Sequence, residues 1–527
     1  MRRFHSYGPV NDRRHFTIPR KKLIQTCFEN LIGDPEEAGH YFTIWAPRQT
    51  GKTWLMRQVK KKIAARSDKF VIGSMSVQGV IMDDDEPAEN FLGKIPLLIW
   101  ETFEKEIPAP ADWESFKSLF SKNTELSDRP VILFIDEFDS LPPKVIDQLV
   151  TLFRDMFLKR ESYILHGLVL IGVRAVLGVE SLSGSPFNIQ RSLHISNFTE
   201  KEVRDLYRQY QEESGQKIES EVVTKLFEST RGQPGLVCWF GELLTEKYNP
   251  GKENPICLSE WKRVYHRALN IEWNNTVLNL VKKARGEYRN HVLELFARSD
   301  IQFSLDAEWC SYLYLNGIID VKTETDETEE EIAVCFFSSP FVQQRLYNAL
   351  TADVVGDRMP TLALEPLDDL SDVFDSPELN LPGLLERYKA YLGRMKAKGL
   401  NPWKDQPRRV DMHLTEYVGH FHLYAWLRDA LGGRCVVSPE FPTGNGRVDL
   451  HLKCGEKRGI IEVKSFRSRS ETEAARGQAA RYAAKLGLKS VTLAVFVPVE
   501  DEDVLKQLSG QTIINRIEVT VSAIGWV

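Results

Sequence analysis

Two short stretches of this 527-residue chain hold residues whose types and spacing could do chemistry. In APRQTGKT (Ala46 to Thr53), a glycine precedes a lysine and a hydroxyl residue. Such a turn points backbone N–H groups at the oxygens of an anion and adds the positive end of the helix that follows. Lys52 would neutralise phosphate, and the Thr53 hydroxyl would serve Mg²⁺. In GRVDLHLKCGEKRGIIEVKSF (446–466), Asp449, Glu462 and Lys464 interrupt alternating apolar residues. Charges beside a sheet are costly unless they pair or bind a cation. Asp449 and Glu462, the backbone carbonyl of Val463 and water would make the oxygen-rich shell that Mg²⁺, or Mn²⁺ in its place, prefers. Such a metal lowers the pKa of a bound water and neutralises charge on a phosphodiester, while an ammonium can orient the nucleophile.

These residues need elements to position them. The apolar run YFTIW (41–45) ends in the glycine turn, after which the period changes from strand to helix. A second run, PVILFIDEFDSLP (130–142), ends in Asp136 and Glu137, and a third, LHGLVLIGVRAV, follows a helical stretch. Strands alternating with helices predict a parallel sheet covered on both faces. The spacing suits the glycine-turn strand and the Asp-Glu strand as neighbours in one sheet. Asp136 would then hold the Mg²⁺ shell and Glu137 would polarise the attacking water. The second stretch lies in a helix (412–431), three strands (434–440, 447–453, 459–464), a helix (471–487) and a strand (490–497). Residues two apart in a strand share a face, so Glu462 and Lys464 project together while Val463 turns into the core.

From Thr199 the chain reads as helical, with Glu202 at capping-box spacing. Residues 255–350 combine helices with two apolar runs around an acidic tip, which predicts a winged-helix-like domain.

The first site resembles that of the prokaryotic AAA+/STAND-like ATPases over roughly residues 15–350. The resemblance is carried by APRQTGKT, with Ala46 where the pattern has its first glycine, and by VILFIDEFDSL, LIGVRAV, SPFNI (185–189) and RGQPG. It implies ATP held by Pro47, Arg48, Gln49, Thr50, Gly51, Lys52, Thr53 and Trp54. It further implies Asp136 with Thr53 at the metal, Arg174 in a sensor position near the γ-phosphate, and Gly232 with Pro234 packing a lid onto the nucleotide. No arginine finger follows from it; Arg191 is the position considered. The second site resembles the PD-(D/E)xK nuclease superfamily over about residues 406–500. Asp449, Glu462, Lys464 and the order of elements carry that resemblance, together with Gln478 and Tyr482 spaced as a QxxxY element. It implies an acid from the first helix in the metal shell, Glu416 first and Glu440 second.

The chain is 42% hydrophobic and 27% charged, a soluble globular composition. No apolar run reaches the roughly 20 residues needed to span a bilayer, and the N-terminal charges are followed by no apolar stretch, so a membrane role and a signal peptide are not expected. Seven cysteines without a CxxC pair fit a reducing compartment, the cytoplasm, and argue against a zinc ribbon or a disulfide framework, so most are expected as plain core residues. Net charge is −6, yet residues 385–490 carry 21 Lys and Arg against 11 Asp and Glu, a local +10. That end is expected to meet nucleic acid, DNA before RNA.

The expected fold is therefore α/β and multidomain. A P-loop ATPase core (1–198), a helical lid (199–254), a winged-helix-like domain (255–350) and a linker (351–405) precede an α/β restriction-endonuclease-like domain (406–527). The function read from it is an ATP-dependent or ATP-regulated, Mg²⁺-dependent nuclease, plausible in defence or mobile-element biology and able to form homo-oligomers. The alternatives are a nucleotide-dependent DNA-binding switch and a remodelling ATPase, each with an inactive nuclease fold.

Overall fold

The computed structural model describes all residues except 34–38, 123, 173–191, 298–300, 326–330, 356–369, 376–377, 405, 407, 409–414, 441–448 and 527; the side chains of 297, 324, 325, 433, 440 and 449 also fall outside it. The chain forms two compact units. One comprises residues 1–280, 304–319 and 338–342, and the other residues 281–303, 320–337 and 343–527.

In the first unit, α1 (Lys21–Ile32), β1 (Tyr41–Trp45), α2 (Lys52–Ala64), β2 (Val71–Ser76), α3 (Ile95–Phe103), α4 (Trp113–Ser118), β3 (Val131–Asp136), α5 (Pro143–Leu158), β4 (Leu165–Gly172) and β5 (Ser192–His194) follow in order. The strands form one parallel sheet in the order β2-β3-β4-β1-β5. Strand periodicity divides its core. Phe42, Ile44, Ile132 and Phe134 face Leu55, Val59 and Ile63 of α2, while Tyr41, Val131, Leu133 and Ile135 pack with Leu149 and Phe153 of α5 on the opposite face. β1 and β3 are not neighbours, as the spacing had suggested, because β4 pairs with both. Parallel strands are joined by crossovers, so separation along the chain does not set order in the sheet.

Helices α6 (Glu200–Ser214), α7 (Ser220–Thr230) and α8 (Pro234–Glu242) follow. The Thr199 side chain accepts from the Glu202 amide, and the Glu202 carboxylate accepts from the Thr199 amide, forming the expected capping box. Next come α9 (Leu258–Asn270), α10 (Asn275–Ala284), α11 (Arg289–Ala297), α12 (Glu308–Leu315), the hairpin of β6 (Ile319–Thr325) and β7 (Glu331–Phe337), and α13 (Pro340–Val355). The division between the units runs through this region.

The rest of the second unit contains α14 (Ser371–Asp375), α15 (Leu381–Ala397), α16 (Glu416–Leu431), β8 (Val436–Glu440), β9 (Asp449–Cys454), β10 (Lys457–Ser465), α17 (Arg469–Lys485), β11 (Ser490–Val497), α18 (Glu502–Leu508), β12 (Gly510–Ile514) and β13 (Ile517–Gly525). The strands form a mixed sheet in the order β12-β13-β11-β10-β9-β8. Within the stretch read as linker, α15 buries Leu384, Leu385, Tyr388, Tyr391 and Met395, so that segment is a packed helix.

One expectation is corrected here. Cys435 and Cys454 form a disulfide, with Cα atoms 4.2 Å apart. The β8–β9 register pairs Val436 with Lys453, which leaves these two cysteines opposite each other one step further along. They are 19 residues apart in sequence, and only the antiparallel register makes them neighbours.

Candidate functional site

The glycine turn sits between β1 and α2. Gln49 (φ 57°) and Gly51 (φ 95°) both adopt left-handed backbone, and these two bends wrap the loop over the start of α2. Thr50 Oγ1 donates to the Pro47 carbonyl at 2.9 Å and braces the curve. Ala46 is fully buried in the core between sheet and α2, which accounts for an alanine at the first position of the turn. Lys52 is the first residue of α2, and its Nζ donates to the carbonyls of Ala46 at 2.7 Å and Pro47 at 3.0 Å. Burial lowers its pKa to about 8, against the upward pull of Glu137, Asp139 and Asp136.

β3 ends at Asp136, whose Oδ2 accepts from Thr53 Oγ1 at 3.2 Å. The next residue, Glu137, takes φ 56°, and its amide donates to Asp136 Oδ1 at 3.0 Å. Burial raises the Glu137 pKa, with nearby Lys52 opposing it, which favours proton acceptance. The hydroxyl–carboxylate pair of Thr53 and Asp136 is a hard oxygen donor set that suits Mg²⁺.

These groups line a cavity of about 690 Å³. Arg48 through Trp54, Asp136, Glu137 and Pro234 all border it, so the expected loop residues other than Pro47 meet Pro234 of the expected lid in one place, while Gly232 does not line the cavity. Pro234 opens α8, and Gln233 beside it donates from Nε2 to the Arg48 carbonyl at 3.1 Å. Gly232 has φ +71°, and a Cβ there would lie 1.9 Å from the Phe198 carbonyl oxygen. Sequence reasoning missed the N-terminal wall: residues 5–10 and 16–18 also line the cavity. The fixing signal is Asp12, which accepts from Trp54 Nε1 at 2.8 Å and Gln58 Nε2 at 2.7 Å. Arg174, residues 185–189 and Arg191 lie outside the described residues.

Residues 5–249 match the family model described as an AAA-like domain. Over that stretch the chain is similar to AAA-like domains. A Walker-type ATPase of Pyrococcus abyssi is similar over 65% of this chain and 99% of its own, at 14% identity and TM-score 0.44. The Orc1 protein of Aeropyrum pernix, solved in complex with DNA, is similar over 64% of this chain and 94% of its own (15% identity, TM-score 0.34). The RuvB Holliday junction branch migration motor of Thermotoga maritima covers 57% of this chain and 89% of its own (14% identity, TM-score 0.33). No curated protein matches the chain. No described helix is long and apolar enough to cross a membrane.

The second cluster lies on the mixed sheet. Glu462 and Lys464 are two apart on β10, and Lys464 Nζ lies 3.9 Å from Glu462 Oε1. Glu416, at the start of α16, accepts from Lys464 Nζ at 2.8 Å. The Glu462 side chain is 1% exposed, against 22% for Lys464 and 21% for Glu416. Val463 is buried between these two residues. In the β9–β10 register, Asp449 stands directly opposite Glu462. Two carboxylates around one ammonium leave the cluster anionic, which suits a hard cation. Among the described residues, no group of three or more His, Cys, Asp or Glu side chains is placed to hold a metal. Gln478 and Tyr482 lie on α17, where Tyr482 meets the His451 ring of β9 at 6.3 Å. No hydrogen bond joins Gln478 to Glu462 or Lys464 among the described residues. Glu440 ends β8, opposite Asp449.

Proposed function

We propose that the chain is an ATP-dependent or ATP-regulated nuclease that cleaves nucleic acid, DNA foremost, with the AAA-like domain handling nucleotide and the C-terminal mixed sheet carrying the cleavage site. The observation behind the second half is the convergence of Glu416, Glu462 and Lys464, with Asp449 opposite Glu462 in register. A buried carboxylate such as Glu462, at 1% exposure, is retained in a sheet for a reason other than packing.

In the ATPase half, the loop amides and Lys52 would hold the β- and γ-phosphates, and Glu137 would accept a proton from the attacking water. Thr53 and Asp136 would hold Mg²⁺. In the nuclease half, Asp449, Glu462, the Val463 carbonyl and Glu416 would hold Mg²⁺ or Mn²⁺, and Lys464 would place its ammonium against the scissile phosphate. The bound metals supply charge neutralisation and a more acidic water.

A nucleotide-dependent DNA-binding switch is the second reading. It is favoured by the Lys464–Glu416 ion pair, which partly neutralises the cluster without a cation. Incubating the protein with supercoiled and linear DNA, with and without Mg²⁺, Mn²⁺ and ATP, separates the two. Divalent-dependent cutting that Glu462→Ala abolishes supports the nuclease. Retained, nucleotide-sensitive DNA binding with no cutting under any combination supports the switch.

A further inference from the structure

Outside residues 385–490 the chain carries a net −16, and that charge is not spread evenly. Residues 1–66 hold 14 Lys and Arg against 5 Asp and Glu, a net +9 in a protein of net −6. Folding concentrates this charge. The segment from Arg3 to Phe16 is closed by Arg3 N–H to the Arg14 carbonyl and Phe16 N–H to the Arg3 carbonyl, both at 3.0 Å. Its tip is a turn in which the Arg14 and His15 amides donate to the Asn11 carbonyl. Phe4 and Phe16 anchor it, both buried and packed on Tyr210. Arg3, Arg13 and Arg14 are therefore exposed on a fixed turn.

The turn docks on α2 through Asp12, whose carboxylate is taken up by Trp54, Gln58 and Lys61. Arg57 and Lys61 are exposed on that face of α2, and Arg57 Nη1 donates to the Val10 carbonyl at 3.4 Å. Two concavities of about 740 and 560 Å³ share Asp12 and Arg13; one is bordered by Arg3 and Arg14, the other by Arg57 and Lys61. Arg2 pairs with Glu213 at 2.6 Å and Lys61 with Asp12 at 3.3 Å. Arg3, Arg13, Arg14 and Arg57 form no ion pair among the described residues.

Like charges held close on a rigid surface repel one another and are relieved by a polyanion. We propose that Arg3, Arg13, Arg14 and Arg57 form a second nucleic-acid surface, on the ATPase domain, that binds backbone phosphates without reading sequence. The spread of the guanidinium groups over two concavities fits a repeating phosphate chain better than one small anion. This surface does not depend on the nuclease reading, because none of its residues belongs to the C-terminal segment.

The test is fluorescence anisotropy of a labelled oligonucleotide, single- and double-stranded, on the full chain across a salt series. The triple variant Arg13→Glu/Arg14→Glu/Arg57→Glu should bind at least tenfold more weakly near 0.1 M salt. It should also have a log K against log salt slope shallower by about 2–3, since each phosphate contact contributes about 0.9. The Lys triple at the same positions should keep most of both. An unchanged thermal melt establishes that the Glu variant is folded; if it is not, the single Arg13→Glu, expected to reduce the slope by about 1, decides. Affinity and slope equal to wild type, or a change in self-association with nucleic-acid binding intact, would overturn the proposal.

Discussion

Lys52 and Glu137 both line the nucleotide cavity, and their environments assign them opposite tasks. The ammonium is held at the mouth of the glycine turn by two carbonyls, where phosphate oxygens would replace them. Lys52→Ala removes a charge-assisted contact of about 2–3 kcal/mol, so ATP affinity should fall about 30- to 150-fold. Glu137→Gln keeps the shape and removes the proton acceptor. It should bind ATP normally and hydrolyse it at least 100-fold more slowly. Isothermal titration and phosphate release read the two effects; unchanged hydrolysis in both variants would remove this site from the mechanism. Both residues were legible in the sequence because a strand-turn-helix context and an apolar run ending in Asp-Glu are local patterns. The N-terminal wall was not, since residues 5–10 reach the cavity through folding rather than spacing.

At the scale of elements, local rules held and register did not show. Capping, helix periodicity and strand alternation placed α6, α16, β9 and β10 to within a few residues. The insertion of β4 between β1 and β3 and the pairing of Cys435 with Cys454 depend on which strands meet, which one sequence does not encode locally. Two elements lend themselves to measurement. Gly232 closes the turn between α7 and α8, and its carbonyl accepts from the Phe198 amide at 2.8 Å. Gly232→Ala must leave the left-handed conformation or displace Phe198, at a cost of about 1–3 kcal/mol, seen as a lower melting temperature and weaker nucleotide binding. In α16, His420 and His422 are buried and paired through Nδ1 with the hydroxyls of Tyr347 and Tyr388. Burial pushes both imidazoles down to about 3. Below pH 6.5 the unfolded chain protonates these two imidazoles and the folded one does not, so they lower stability by about 3 kcal/mol per unit as pH falls, and His5, His15 and His166, also held down by burial, add to that loss. A melt series from pH 7.5 to 5 should show this loss, and His422→Gln should reduce its slope by about 1.4 kcal/mol per unit.

On the scale of the whole molecule, the nucleotide residues and the mixed-sheet residues belong to different compact units, Lys52 and Glu137 to one and Glu416, Glu462 and Lys464 to the other. ATP hydrolysis should therefore survive loss of the mixed-sheet residues. Asp449→Ala, Glu462→Ala and Lys464→Ala should each stop DNA cleavage by at least 100-fold while ATP hydrolysis stays within about twofold of wild type. The metal readout divides the three. The mixed-sheet share of Mn²⁺ binding by calorimetry should be lost with either acid, whereas Lys464→Ala should retain it, since an ammonium is not a ligand and its removal frees Glu416. Glu462→Ala should also melt no lower than wild type in the absence of metal, because it removes a buried charge and leaves the Lys464–Glu416 pair in place. Regulation then becomes measurable in one direction. If Lys52→Ala cuts DNA at the wild-type rate with and without ATP, the nucleotide does not govern cleavage; if cutting falls in parallel with ATP binding, it does. A triple variant of Asp449, Glu462 and Lys464 that nicks supercoiled DNA as fast as wild type would locate the cleavage elsewhere and leave the mixed sheet as a binding module.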